Sequence, residues 1–122
     1  MDAEAGDSIE NRVAFVFNQI RSATRKAGRV AGSVQLVGAT ILVAIGDIRR
    51  AVDAGLTLAG ENRLQEALPK IEALKDTGVI WHFIGRLQRR KVRSVVGIFD
   101  LIHSVDSLEL AREIDRRAKA AG

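Results

Sequence analysis

The chain contains two histidines, His82 and His103. Each lies in or at the end of a short apolar run that then opens into a helical pattern: V-I-W-H-F-I-G at Val79–Gly85 and F-D-L-I-H-S at Phe99–Ser104. Imidazole can move protons near neutral pH, accept a hydrogen bond or bind a metal. Strict alternation along the first run puts Trp81 and Phe83 on one face and His82 on the other. A histidine so placed is either a site residue or a satisfied core residue. Gly85 behind it permits a tight turn or the approach of a phosphate. Ser104 follows His103 directly, and neighbours on a strand end are poorly placed for a Ser-His nucleophile. Ser104 or Asp106 also suits the N-cap of the last helix. A third group, Gly60-Glu61-Asn62-Arg63, combines a glycine with an amide that both donates and accepts. Its structural alternative is a tight turn at Gly60 with Asn62 capping the next helix. A fourth, Arg86, Arg89, Arg90, Lys91 and Arg93, is a dense basic cluster. It reads as an anion or RNA site, or as a solvated helix face. The few aromatic residues are not interleaved with it, which argues against stacking on single-stranded nucleic acid.

Strands followed at once by helices must position these groups. Residues 8–28 carry apolar positions Ile9, Val13, Val16, Phe17 and Ile20 at helical spacing. Asp7 or Ser8 suits the cap, and Gly28 the stop. After a loop at Gly32-Ser33, strands are predicted at 34–43, 56–59, 79–84 and 99–103. Helices are predicted at 47–54, 63–75, 87–96 and 106–121, the last facing inward with Leu108, Ala111, Ile114 and Ala118. Pro69 inside the third of the five predicted helices should kink or split it. The strand ends Thr40, Glu61, Ile84 and His103 recur about every twenty residues, a spacing that suits β-α units with short loops. The fold class is therefore α/β with parallel strands. A full (β/α)8 barrel takes about 250 residues, so four units in 122 residues match half of one, with an extra N-terminal helix. In such folds chemistry gathers at the carboxyl ends of the strands. We expect one domain over 1–122, with 1–33 as helix and loop and 34–122 as four β-α units.

Composition excludes several functions. With no cysteine there is no disulfide framework, thiolate metal site or cysteine nucleophile. No metal-ligand spacing, P-loop or dinucleotide fingerprint occurs. The apolar run at 36–45 is too short to span a bilayer, and the acidic N-terminus is not a signal peptide. The expectation is a cytoplasmic protein with no membrane partner. A net charge of +4 permits polyanion binding but does not specify it.

Three segments in order are similar to the pyridoxal-5'-phosphate homeostasis protein family, a single-domain relative of the alanine racemase N-terminal barrel. They are G-E-N-R at Gly60–Arg63, W-H-F-I-G-R-L-Q at Trp81–Gln88 with Lys91 following, and D-L-I-H-S-V-D-S at Asp100–Ser107. The resemblance runs from about Leu36 to the C-terminus. It implies a (β/α)8 barrel that holds pyridoxal phosphate at its carboxyl face. Asn62, His82, Gly85, His103 and Ser104 would stand around the cofactor. It also implies a lysine near the end of the first strand that forms a Schiff base, in a text close to L-V-A-V-S-K. Here the same register reads Leu36-Val37-Gly38-Ala39-Thr40-Ile41, followed by Asp47-Ile48-Arg49. Ile41 occupies the lysine position and has no amine. The family's phosphate loop belongs to the second half of the barrel, beyond the four units present here.

The resemblance thus implies a truncated homeostasis-type protein, non-catalytic, binding the cofactor weakly or without a covalent bond. The alternative is a non-catalytic half-barrel that pairs with itself or with a complementary chain.

Overall fold

The computed structural model describes residues 7–122; the reading of the acidic N-terminus falls partly on 1–6, outside the described residues. Helix α1, Ile9–Lys26, starts at Ser8, whose hydroxyl accepts from the Asn11 amide at 3.1 Å. It ends before Gly28, which has φ +70°. Strand β1 is Val37–Ala39 and helix α2 is Ile45–Asp53. Strand β2 is Leu58–Glu61 and helix α3 is Leu64–Ala73, followed by a 3-10 turn at Lys75–Thr77. Strand β3 is Ile80–Phe83, and a 3-10 turn at Arg89–Lys91 leads into the one-turn helix α4, Val92–Val95. Strand β4 is Leu101–Ile102 and helix α5 is Leu108–Ala121.

The four strands form one sheet in the order β1-β2-β3-β4, every pair parallel. Sequential parallel strands need crossovers of one hand, which puts their helices on one side of the sheet. Ala59, Trp81 and Phe83 point to that side and pack with Ile48, Ala67, Leu74, Leu87, Val92, Val95, Phe99 and Leu110 in the core. Phe83 and Phe99 meet edge to face with centroids 5.3 Å apart. The α/β class and the parallel half-barrel expected from the sequence are what the chain adopts. Helix α1 packs on α2, and there Arg50 donates to both Glu10 carboxylate oxygens at 2.8 and 2.9 Å. That bond is the main reason the Glu10 carboxyl falls to about 2.

Several boundaries differ from expectation. Strand β2 runs to Glu61 rather than stopping at Ala59, so Gly60 is a strand residue and not a turn. A Cβ there would lie 2.8 Å from the end of the Ile84 side chain, so Ile84 would have to shift to admit one. Strands β1 and β4 are shorter than their apolar runs, because the ladder ends where partners run out. Pro69 neither splits nor ends α3. It removes one N–H, and the unpartnered carbonyl belongs to the exposed Gln65, within reach of water. The basic segment forms a 3-10 turn and α4 instead of a helix over 87–96. Neither Ser104 nor Asp106 caps α5; Ser107 does, accepting from the Leu110 amide at 3.1 Å. The inward face of α5 therefore holds Leu110 and Glu113, while Leu108 is 65% exposed.

One polar cluster sits inside the helix-side layer. Glu61 is fully buried, and Lys70 from α3 donates to its two carboxylate oxygens at 3.1 and 3.0 Å. The same ammonium donates to the Thr40 carbonyl at 2.7 Å, and the Thr40 hydroxyl donates to Glu61. Removing one partner of a buried pair leaves an uncompensated charge, a loss of about 3–5 kcal/mol. Lys70→Met should therefore lose about that much in urea unfolding. The double variant E61Q/K70M should regain more than half, and equal losses in single and double variants would show that the charge pairing is not what matters.

Candidate functional site

The carboxyl ends of the strands all lie at one end of the sheet, because every pair is parallel. Alternation sends Ala59, Trp81 and Phe83 toward the helices and Gly60, His82 and Ile84 to the opposite, concave face. His103 follows β4, and its amide donates to the Phe83 carbonyl, which continues the ladder by one residue. The consequence is that the two imidazoles meet. His82 Nδ1 and His103 Nε2 are 3.0 Å apart, with ring centroids at 5.1 Å. One ring must donate and the other accept. Burial pushes the His82 imidazole below its ordinary value; the neighbouring His103 adds to this, and Asp100 opposes it.

The loops after β2, β3 and β4 are tied together. A methyl group at Gly85 would come within 2.5 Å of Asn62 Cβ and 2.7 Å of its Cα, so Gly85 lets the β3 loop lie against Asn62. Ser104 Oγ donates to the Gly85 carbonyl. Asn62 does not cap α3, whose N-cap is Arg63 without a side-chain bond. Its Oδ1 is buried and has no hydrogen-bond partner. A buried amide oxygen of this kind can accept from a ligand N–H or O–H.

Ile41 stands in the turn that leaves β1. The Val43 amide donates to the Thr40 carbonyl at 3.0 Å, and Leu42 takes φ +61°. Thus Asn62, Gly85, His103 and Ser104 all come from the carboxyl-end loops, and His82 projects beside them from β3. Among the described residues there is no group of three metal-ligating side chains. Sequence reading missed the Thr40–Glu61–Lys70 cluster directly beside the β1 turn. Its signal was the nine-residue offset from Glu61 to Lys70, which brings a helix residue back over its own strand.

No family model matches the chain. It is 47% identical over 107 residues to the pyridoxal phosphate homeostasis protein of Aquifex aeolicus, covering 88% of this chain and 47% of that one. The protein of the same name from Synechocystis is 53% identical over 88 residues, 71% of this chain and 40% of its own. The chain belongs to the pyridoxal phosphate homeostasis protein family. It spans about half the length of the curated relatives it matches. Among solved structures, PipY of Synechococcus elongatus with pyridoxal phosphate bound superposes with a TM-score of 0.71 at 41% identity, over 84% of this chain and 49% of PipY. A protein of unknown function from Bifidobacterium adolescentis superposes at 0.84 with 40% identity, over all of this chain and 54% of that one. The family and the half-barrel inferred from Gly60–Arg63, Trp81–Gln88 and Asp100–Ser107 are thus supported by sequence and by shape. No helix of the described residues is long and apolar enough to cross a membrane.

The histidine pair gives a pH signature. A group whose folded value is depressed stabilises fully above its unfolded value, about 6.5 for histidine, and the contribution is lost as pH falls toward the folded value. Urea unfolding at pH 7.5 and 5.5 should therefore show lower stability at the acid end. His82→Gln should show a smaller drop; an identical drop would place its origin elsewhere.

Proposed function

We propose that this chain is a non-catalytic, homeostasis-type binder of pyridoxal 5'-phosphate that holds the cofactor reversibly at the carboxyl end of its strands. The main support is the meeting of His82 with His103 at that end and the unpartnered Asn62 Oδ1 in the loop after β2, in a chain 41% identical to a PipY structure that contains the cofactor. In this reading the five described helices and four strands act as one domain. The donor set fits part of the ligand. Asn62 Oδ1 offers an acceptor without a competing partner, and the imidazoles offer one donor or acceptor each. The covalent anchor does not fit. Ile41 stands where the family resemblance puts the Schiff-base lysine, and an alkyl side chain cannot form an imine. The Lys70 amine is committed to Glu61 and to the Thr40 carbonyl. Gly85 and Ser104 hold the loops that form the rim.

The expected outcome is binding that reverses on dialysis. After borohydride reduction, mass analysis should find no single lysine carrying a stoichiometric adduct. Asn62→Ala and His103→Ala should each weaken reversible binding by roughly tenfold, the size of one lost hydrogen bond to a buried partner. A stable adduct on one specific lysine would overturn the non-covalent reading.

A second reading rests on the sheet edges and the concave face, and concerns partners. β1 and β4 each have one paired neighbour among the described residues. Unpaired strand edges template pairing with another chain. On the concave face Ile80 is 41% and Leu101 51% exposed. A closed barrel would bury both the edges and this face. We therefore infer association of the chain with a second copy or with a complementary half-barrel. Light scattering over a micromolar dilution series should give a mass above the 13.2 kDa monomer. A compact monomer throughout would rule out self-pairing.

A further inference from the structure

A cavity opens on the helix side of Phe83, away from the histidine face. It lies between the second and third β-α units, among the start of α3, the β3 loop and α4, and its volume is about 700 Å³. Small-molecule sites typically occupy roughly 300–1,000 Å³. Its floor is apolar: Phe83, Leu87 and Val95, all buried core residues. Its rim is cationic: Arg63, Arg86 and Lys91, against one carboxylate, Glu66. Arg63 lies 3.8 Å from Glu66, so that carboxylate is already engaged. Arg86 and Lys91 form no ion pair among the described residues. Gln65, Gln88 and Ser94 add neutral polar groups to the wall.

The floor separates this cavity from the proposed cofactor site. Phe83 points toward the helices, whereas His82 and His103 meet on the concave face. Asn62 is itself one of the residues lining this cavity. Both walls come from units present in this chain, so a partner pairing at β1 or β4 does not complete it. We propose that this cavity is a second anion site, which takes a small phosphomonoester. Arg86 and Lys91 would pair with the phosphate, and the organic body would rest on Phe83, Leu87 and Val95. The chemistry favours this class over nucleic acid. Two unpaired cations at one mouth suit a compact dianion, and the wall holds one aromatic ring, too few to stack successive bases.

Phenyl phosphate is a suitable probe, with inorganic phosphate, pyridoxal phosphate and a twelve-nucleotide thymidine oligomer as further arms. Calorimetric titration of the intact chain at low ionic strength should give saturable phenyl phosphate binding, tighter than inorganic phosphate. Arg86→Gln and Lys91→Gln should each weaken it at least tenfold. Both residues are exposed, and circular dichroism verifies that the variants fold. His103→Ala should leave phenyl phosphate binding unchanged, so the result stands or falls independently of the proposed cofactor site. The proposal is overturned by the absence of saturable binding at 10 mM, a chosen upper concentration on the order of a hundred times a typical metabolite affinity. It is also overturned if Arg86→Gln binds as the wild type does, or if the oligomer binds while phenyl phosphate does not. Loss of phenyl phosphate binding in His103→Ala, with full competition by pyridoxal phosphate, would mean that the cavity is part of the cofactor site, and would overturn it too.

Discussion

The buried carboxylate of Glu61 constrains much of this half-barrel. A charge taken out of water is tolerated only with a well-placed counterion and with its remaining lone pairs occupied. Glu61 is the last residue of β2, Lys70 reaches back to it from the second turn of α3, and Thr40 bonds it from the end of β1. One cluster therefore sets how α3 lies over its own strand and where β1 stands against β2. The Thr40 amide also donates to the Gly60 carbonyl at 3.0 Å, which makes the register independent of side chains at that point. The turn carrying Ile41 begins where this cluster ends. Leu42, 88% exposed with φ +61°, accepts a left-handed conformation that costs a residue with a Cβ on the order of 1 kcal/mol.

From that register the two faces of the sheet follow. Parallel partners share a face, so Ala59 and Trp81 are paired on the helix side, and Gly60 and His82 on the concave side. The concave face is built unlike the core. It carries a glycine, two histidines and exposed aliphatic residues such as Ile80 and Leu101. A sheet face of this composition gains little by staying in water and has few polar groups to satisfy. The helix side, by contrast, is closed mainly by apolar side chains from Ile48 to Leu110, with the Glu61–Lys70 pair buried among them.

Much of this was legible in the sequence, and the failures have physical causes. Alternation around His82 was readable because Trp81 and Phe83 are large and apolar, so the period-two signal is unambiguous. The meeting of His82 with His103 was not, since it depends on β3 and β4 pairing in one register, with His82 opposite Leu101. Gly60 suggested a turn because glycine is the usual turn residue. Here it serves close packing against Ile84, which no local pattern announces. Asn62 and Ser104 looked like caps, yet the caps fell to Arg63 and Ser107, because cap choice follows the backbone angle at which the loop enters the helix. The basic run from Arg86 to Arg93 looked like one solvated helix. It forms instead a loop and a 3-10 turn, and Arg86 and Lys91 both line the cavity that Leu87 and Val95 floor.

Most of the residues around the proposed cofactor site also have structural work. Gly85 makes room for Asn62, Ser104 ties its own loop to Gly85, and the two imidazoles satisfy each other. Each of those contacts would keep its residue in place whether or not a ligand binds. Their presence is therefore compatible with a structural role beside the proposed binding role. Two features carry different information. Ile41, half-buried in the turn after β1, stands at the position where the family resemblance implies a Schiff-base lysine, and its alkyl side chain has no amine to offer. Asn62 Oδ1 is a buried acceptor that no protein group satisfies, a cost of roughly 1–3 kcal/mol if nothing else supplies a donor. A scaffold freed from ligand binding gains by satisfying such an atom, whereas a reversible binder gains by leaving it open. In the proposed reading, the unpaired Asn62 oxygen is the atom that a ligand N–H or O–H would satisfy.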